Sequence, residues 1–235
     1  MQRKKTKHMN EAAWVLGVIL CPLGVSLCTK ANLGLSMIAA PAYILHFFLE
    51  QFSDFFSQGR TEYAWQAFLL LILVCIIRRF RFRYLLCFAS AFISGMVLDG
   101  WLQVVGGDQT PDSMLVRILC FAAGECITAL AIAFYFRTSL PLQIHELLVT
   151  EISDRFRFPA HKVKRAEDTV MLVISLLFAW LLNGSWQGIG IGTIVITLVN
   201  ATLIALFGKV LDRFFEFDPA FPKITSWLSG KKEDE

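Results

Sequence analysis

The sequence predicts an all-α, polytopic membrane protein with six spanning helices, two short re-entrant or interfacial helices, and two repeats of inverted topology. Three observations carry that expectation. The 235 residues are 56% hydrophobic and only 17% charged, with mean hydropathy +0.58, whereas a soluble domain averages about 25% charged residues. Uncharged apolar runs recur at the length of a bilayer core, roughly 30 Å or about 20 helical residues. Short motifs also return at a nearly constant spacing. "KANLGL" (30–35) returns as "RTSLPL" (137–142), "RTE" (60–62) as "RAE" (165–167), and "FISGM" (92–96) as "LVNAT" (198–202), at offsets of 107, 105 and 106 residues. A fixed offset of that kind is the mark of an internal repeat. The expected units are a first repeat over 1–105, a second and inverted repeat over 114–215, and a cytoplasmic tail over 216–235.

The elements follow in order. After Glu11 comes "AAWVLGVILCPLGVSLCT", eighteen residues without a formal charge. "MQRKKTKH" ahead of it has the outline of a signal peptide. Lys30 stands where a cleavage site would need a small residue, and a second copy of the segment lies near 115–137, so a retained helix is expected. The second element (33–56) is apolar as far as Glu50 but interrupted by Pro41. "YAWQAFLLLILVCII" (63–77) and "YLLCFASAFISGMVL" (84–98) are the next two spans, and the loop "GGDQTPDS" (106–113) divides the halves. The fifth element lies near 115–136. The sixth, "LPLQIHELLVTEISD" (140–154), carries His145, Glu146 and Glu151; each central charge would cost about 2.5–3.5 kcal/mol in a lipid-exposed span. The seventh and eighth occupy 169–187 and 189–208.

The basic residues set the topology. If the second element of each half does not cross, nineteen of the 22 Lys and Arg residues fall on the cytoplasmic side, as the positive-inside rule requires. Only Lys30, Arg60 and Arg117 then lie outside. Both termini and the "RRFRFR" loop are expected in the cytoplasm, in a multi-pass protein of the plasma membrane. Three spans per half is an odd number, so the halves insert upside down relative to each other. Secondary transporters use this arrangement, with interrupted helices at a central site. Irregular backbone at membrane depth is tolerated only inside protein or around a cavity, and Gly34 and Pro141 mark the expected breaks.

The net charge of +3 is too small to imply nucleic acid. All six cysteines sit in apolar segments without CxxC or His partners, so they read as small hydrophobes and no metal or cofactor is expected. No Ser/His/Asp set, HExxH or P-loop is present, and no enzymatic activity is expected. The candidate substrate- or ion-binding residues are polar groups in apolar surroundings. Glu125 falls about 16 Å into its helix, near the bilayer centre, where a carboxylate is a functional candidate by default. Lys30 and Arg137 flank the two short elements and suit an anion or lipid headgroups. Thr193, Thr197 and Asn200 share one face of the eighth element, which opens on "GIGIGT". That glycine run suits an anion or close packing. Ser94, with Ser90, stands opposite Asn200 in the repeat, so two polar stripes could line one cavity. Glu146, beside His145, is a candidate titrating group, and Asp99 sits toward the outer end of its helix.

These segments resemble the YczE/YitT-like group of bacterial integral membrane proteins, closer to the YczE branch. The resemblance covers about residues 12–215. It is carried by "LGVSLCTKANLGLS", "AIAFYFRTSLPLQIHELL", "FISGMVLD" and "GIGIGTIVITLVNATLIALF". Leu33, Gly34 and Ser36 fit the group's first motif, Gly190, Gly192 and Thr193 its last, and Glu146 falls where the group has an aspartate. Pro141 stands in place of a glycine, and Met37 and Ile144 where the group has proline. The resemblance implies the fold more than an activity. The expected function is a small-solute transporter or permease with its site between the repeats. A membrane scaffold or regulator and a lipid-handling protein are the alternatives. The expected partners are a small molecule or ion and membrane lipids, with homo-oligomerisation left open.

Overall fold

The computed structural model describes residues 9–107, 109–138, 140–141, 143–183 and 188–219. The basic N-terminal segment and the end of the tail, with their expected cytoplasmic placement, lie outside the described residues. Eight α-helices follow in order: α1 (Asn10–Ala31), α2 (Ala40–Glu50), α3 (Gln58–Ile77), α4 (Phe82–Val105), α5 (Met114–Tyr135), α6 (Ile144–Phe156), α7 (Ala160–Phe178), which runs on into a π-helical turn (Ala179–Asn183), and α8 (Ile191–Phe214). Five of them, α1, α3, α4, α5 and α8, are long and apolar enough to cross a membrane. The seventh segment differs from its expected bounds of 169–187. Its helix starts at Ala160, and the first turns carry Lys162, Lys164, Arg165, Glu167 and Asp168.

Both expected short helices are present. Asn32 ends α1 in the left-handed conformation, with its amide bonded to the Cys28 and Thr29 carbonyls, a common way to close a helix. The chain then turns through Gly34, whose φ of +122° a side chain would strain. Pro41 does not bend a longer helix; it sits in the first turn of α2, where a proline's missing N–H costs nothing. In the second half α5 ends at the Phe136 cap, and α6 starts after the Gln143 cap.

The centre of the fold is the α1–α5 pair, the most extensive packing in the molecule. The two helices run antiparallel. Gly17 lies against Tyr135, Gly24 against Thr128 and Gly124, and Cys28 against Gly124; further along, Arg117 donates to the carbonyls of Ala31 and Asn32 at 2.8 and 2.6 Å. At the crossing a Cβ on Gly24 would meet the Gly124 carbonyl at 2.6 Å, and one on Gly124 would meet the Gly24 carbonyl at 2.7 Å. Small residues at that point let two membrane helices touch backbone to backbone.

Around this pair the remaining contacts come in twos. α1 packs on α4 and α5 on α8; α3 packs on α6 and α7 on α2; α2 touches α3 and α6 touches α7. Individual contacts repeat as well. Gly17–Tyr135 and Gly124–Cys28 are the same contact moved along by 107 residues, and so are Lys30 to Val105 and Arg137 to Asp212. Two pairs break the pattern. α3 and α4 are closely packed, whereas α7 and α8 are not; and α4 touches α6, with no comparable contact of α8 with α2 among the described residues.

Candidate functional site

Both short helices begin at the middle of the molecule. Their N-caps, Ala39 and Gln143, line a small central cavity of about 30 Å³ together with Cys21 and Pro22 of α1, Glu62 and Gln66 of α3, and Ser94 of α4. Pro22 lies inside α1 and withholds a backbone donor there. The polar groups are linked. Gln66 Nε2 donates to Glu62 Oε1 at 3.1 Å, while its amide oxygen accepts from the first amide of α6, Ile144 N, at 3.3 Å. Gln143 Nε2 donates to Ser94 Oγ at 2.8 Å and to the Tyr135 hydroxyl at 3.1 Å. Ser90 Oγ donates to the Pro141 carbonyl. Three of these contacts, Gln66–Ile144, Gln143–Ser94 and Ser90–Pro141, tie the start of α6 to α3 and α4 of the first half.

A buried charged cluster lies behind the cavity, on α6 and α7. His145 Nδ1 is 2.8 Å from Glu167 Oε1, and Lys164 Nζ is 2.8 Å from Glu167 Oε2 and 3.2 Å from Asp168. The His145 and Glu167 side chains are 1% and 2% exposed, so their pairing is shielded from solvent. On α6, which is outside the five long apolar helices, burial alone would lower the pKa of His145, but the hydrogen bond and charge of Glu167 outweigh it and raise it. Burial raises the Glu146 pKa, against the opposing charges of Lys164 and His145. Glu146 is 5% exposed and its Oε2 has no hydrogen-bond partner.

The residues expected from sequence fall into three places. Ser94 lines the central cavity. Glu146 lies in the first turn of α6, three residues after Gln143 of the cavity wall, and Glu125 follows Gly124, which packs against Cys28 of α1. Glu125 is 6% exposed and leaves Oε1 unpartnered. Thr197 and Asn200 line a different space, a cleft of about 250 Å³ between α7 and α8 that also takes in His161, Lys164 and Asp168. The two polar stripes expected to face one cavity therefore serve two. Thr193 accepts from Gly190 N and packs against Gly34. The glycine run around it receives the other loop backbone to backbone, with Leu35 N bonded to the Gly188 carbonyl and Gly192 N to the Leu33 carbonyl.

The remaining three hold helix ends. Asp99 accepts from Ser57 Oγ at 2.6 Å and Gly59 N at 2.7 Å, which caps the start of α3. Lys30 Nζ donates to the Val105 carbonyl at the end of α4, 2.5 Å away. Arg137 forms a two-pronged pair with Asp212, 2.6 Å at each contact, and donates to the Ala133 carbonyl.

Glu62, Gln66, Gln143, Lys164 and Glu167 are the polar groups that the expected site did not include. A signal for two of them was present: "RTE" and "RAE" place Glu62 and Glu167 at one repeat position. Glu62 comes so early in its apolar run that it reads as a flank.

Residues 9–209 match the DUF6198 model, a family of unknown function. The chain belongs to this family. It is also similar to the "Uncharacterized protein YyaS" of Bacillus subtilis (strain 168), with 27% identity over 206 residues, 85% of this chain and 92% of that protein. No solved structure matches.

Proposed function

We propose that the chain is a small-solute transporter working by alternating access, with its site between two inverted repeats and six segments crossing the plasma membrane. Its termini lie in the cytoplasm in this reading, and α7 with its π-helical extension is the sixth span. The observation that carries the reading is the small central cavity, where the N-caps of both short helices meet beside Glu62, Gln66 and Ser94. Transporter sites are commonly built in this way from the broken helices of two repeats. The antiparallel α1 and α5, equivalent at 107 residues, support inversion of the halves. The buried carboxylates would bind and release rather than catalyse. Kinship with the YczE/YitT-like group belongs to the same reading and rests on the motifs quoted above; the family match does not itself extend to that group.

The two seams beside the cavity suggest how access would alternate. The α3–α4 seam is shut, with Gly59 and Gly95 in mutual backbone contact, while a cleft separates α7 from α8. Exchange of these two conditions between the halves would expose the cavity first to one side and then to the other. Spin labels at positions 63 and 92 report the first seam and labels at 168 and 201 the second, in a cysteine-free background in lipid nanodiscs. The expected result is two distance populations at each seam, changing in opposite senses across pH 5–8. A single α7–α8 distance under every condition overturns the reading.

Lipid handling has one observation in its favour. An apolar groove of about 440 Å³ runs between α3, α6 and α7, lined by Leu69, Ile72, Leu148, Ile152, Met171 and Ile174. That reading expects Ile72→Trp to displace a co-purifying lipid and leave the seam distances unchanged.

A further inference from the structure

The central cavity differs from the cluster behind it in how its charges are met. Glu167 is answered by both His145 and Lys164. Glu62 receives only the neutral Gln66 amide. Among the described residues, no Lys, Arg or His forms an ion pair with Glu62, Glu125 or Glu146. Yet Glu62 lines the cavity beside Cys21, and Glu146 lies in the first turn of α6, three residues after Gln143 of the same lining. Glu146 Oε2 and Glu125 Oε1 are buried without partners. His145 faces both Glu62 and Glu146, and Lys164 faces Glu146, but both bases are bonded to Glu167. A buried carboxylate without a counter-charge is costly unless it takes up a proton or a cation.

We infer that this cavity binds one small monovalent cation, stripped of most of its water, with the Glu62 carboxylate as its anionic ligand. Ser94, Gln66 and Gln143 bring further oxygen atoms to the same space, and hard cations are held by oxygen. Size selects the class. A cavity of about 30 Å³ holds about one water-sized particle, which excludes sugars, amino acids and quaternary amines. The starts of α2 and α6 oppose the cation, since each helix N-terminus carries roughly half a positive charge. As the identity of the solute or coupling ion, the inference rests on the transport reading above; as a binding site it stands apart from it.

The test is thermal unfolding of the full chain in lipid nanodiscs, titrated with NaCl, KCl or NH4Cl. Choline chloride holds ionic strength constant and serves as the oversized control. At least one small cation should raise the melting temperature saturably, and choline should not. Glu62→Gln should weaken the apparent affinity at least tenfold. Ser94→Val keeps the carboxylate but fills the space and removes an oxygen; it should weaken affinity too, and it carries the test if Glu62→Gln does not fold. Absence of a saturable shift with any of the three cations, or wild-type affinity in either folded variant, overturns the site. The seam distances separate the two ideas. Cation binding with fixed seams removes transport and leaves the site, and moving seams without cation binding do the reverse.

Discussion

In the first half, α3 lies so close to α4 that Gly59 and Gly95 touch through their backbones; in the second half, the equivalent helices stand apart around a cleft of about 250 Å³. The repeat offsets explain the difference at single residues. Gly59 corresponds to Lys164 and Gly95 to Ala201, and both replacements line the open cleft. Asp99, which fastens the start of α3 to α4, corresponds to Ala205, so the second seam has no such clasp. The same contacts elsewhere thus coexist with opposite seams. What a repeat preserves is the scaffold of α1, α5 and their neighbours; a few side chains between α3 and α4, or α7 and α8, decide which side is sealed.

The harshest way to break this comparison is to put bulk into the closed seam. A Cβ on Gly59 would already overlap the Gly95 carbonyl, so Gly59→Leu should force α3 from α4 and cost about 3 kcal/mol or more. Gly100, five residues along α4 from Gly95, has open space around it. Gly100→Ala should therefore be neutral or stabilising by up to about 1 kcal/mol. Melting temperatures of the two variants in one detergent decide the matter. Equal effects would mean that the seam is not the constraint.

The equivalent carboxylates give the next test. Glu167→Gln strips His145 and Lys164 of their shared partner and should cost about 3–5 kcal/mol, as breaking a buried pair does. Glu62→Gln removes no ion-pair partner and should change cation-free stability by less than about 1 kcal/mol. Denaturant unfolding of both variants without small cations measures the gap. A large loss in Glu62→Gln would show that Glu62 holds a structural contact.

The membrane class and the short helices were already legible in the sequence, because each rests on a pattern: apolar runs, and the prolines, glycines and charges that interrupt them. Site residues were legible only where burial alone marks them. Ser94, Glu125 and Glu146 stood out because a polar group in an apolar run is conspicuous. Glu62 and Glu167 did not, since each follows an arginine and precedes the apolar part of its helix. Their depth comes from packing: Asp99 holds the start of α3 against α4, and the turns before Thr169 extend α7 so that one face, with Val163 and Glu167, is buried. Lys30, Arg137 and Asp99 raised the opposite difficulty. A charge beside an apolar run looks the same in sequence whether it meets a ligand or, as here, the end of a neighbouring helix.

Changing pH probes the second half selectively. Glu167 raises the His145 pKa above its ordinary value, so the stability from that proton is complete below about pH 6.5 and is lost as pH rises through the folded value. Burial raises the Glu146 pKa, and the sign is the same: its protonated form favours the folded state and is lost on the same climb. Stability should therefore fall as pH rises above about 6.5, by at most about 1.4 kcal/mol per pH unit for each proton lost. His145→Gln should flatten the fall. A wild-type melting temperature that rises over that range would contradict both assignments.

The smallest effect is expected at Lys30 and Arg137, which make the comparison sharpest because they occupy one repeat position with different partners. Lys30 gives a single bond to a backbone carbonyl at the end of α4. A cation at a helix C-terminus contributes roughly 0.3–1 kcal/mol. Arg137 meets Asp212 with two parallel bonds, the geometry in which an arginine–carboxylate pair is strongest. Solvent reduces that advantage, because the Asp212 side chain is 57% exposed, and exposed pairs are worth about 0.2–1 kcal/mol. The two sites should therefore differ little: a Lys30→Met loss and an Arg137→Gln/Asp212→Asn coupling energy, each below about 1 kcal/mol. The coupling should shrink further in 1 M salt, where the screening length falls to about 3 Å, while the Lys30 effect, made to a carbonyl rather than an ion, should respond less. A coupling above 2 kcal/mol that salt leaves unchanged would place Asp212 away from water. It would make the end of α8 a second clasp, equivalent to none in the first half, and the near-symmetry of the two helix ends would be lost.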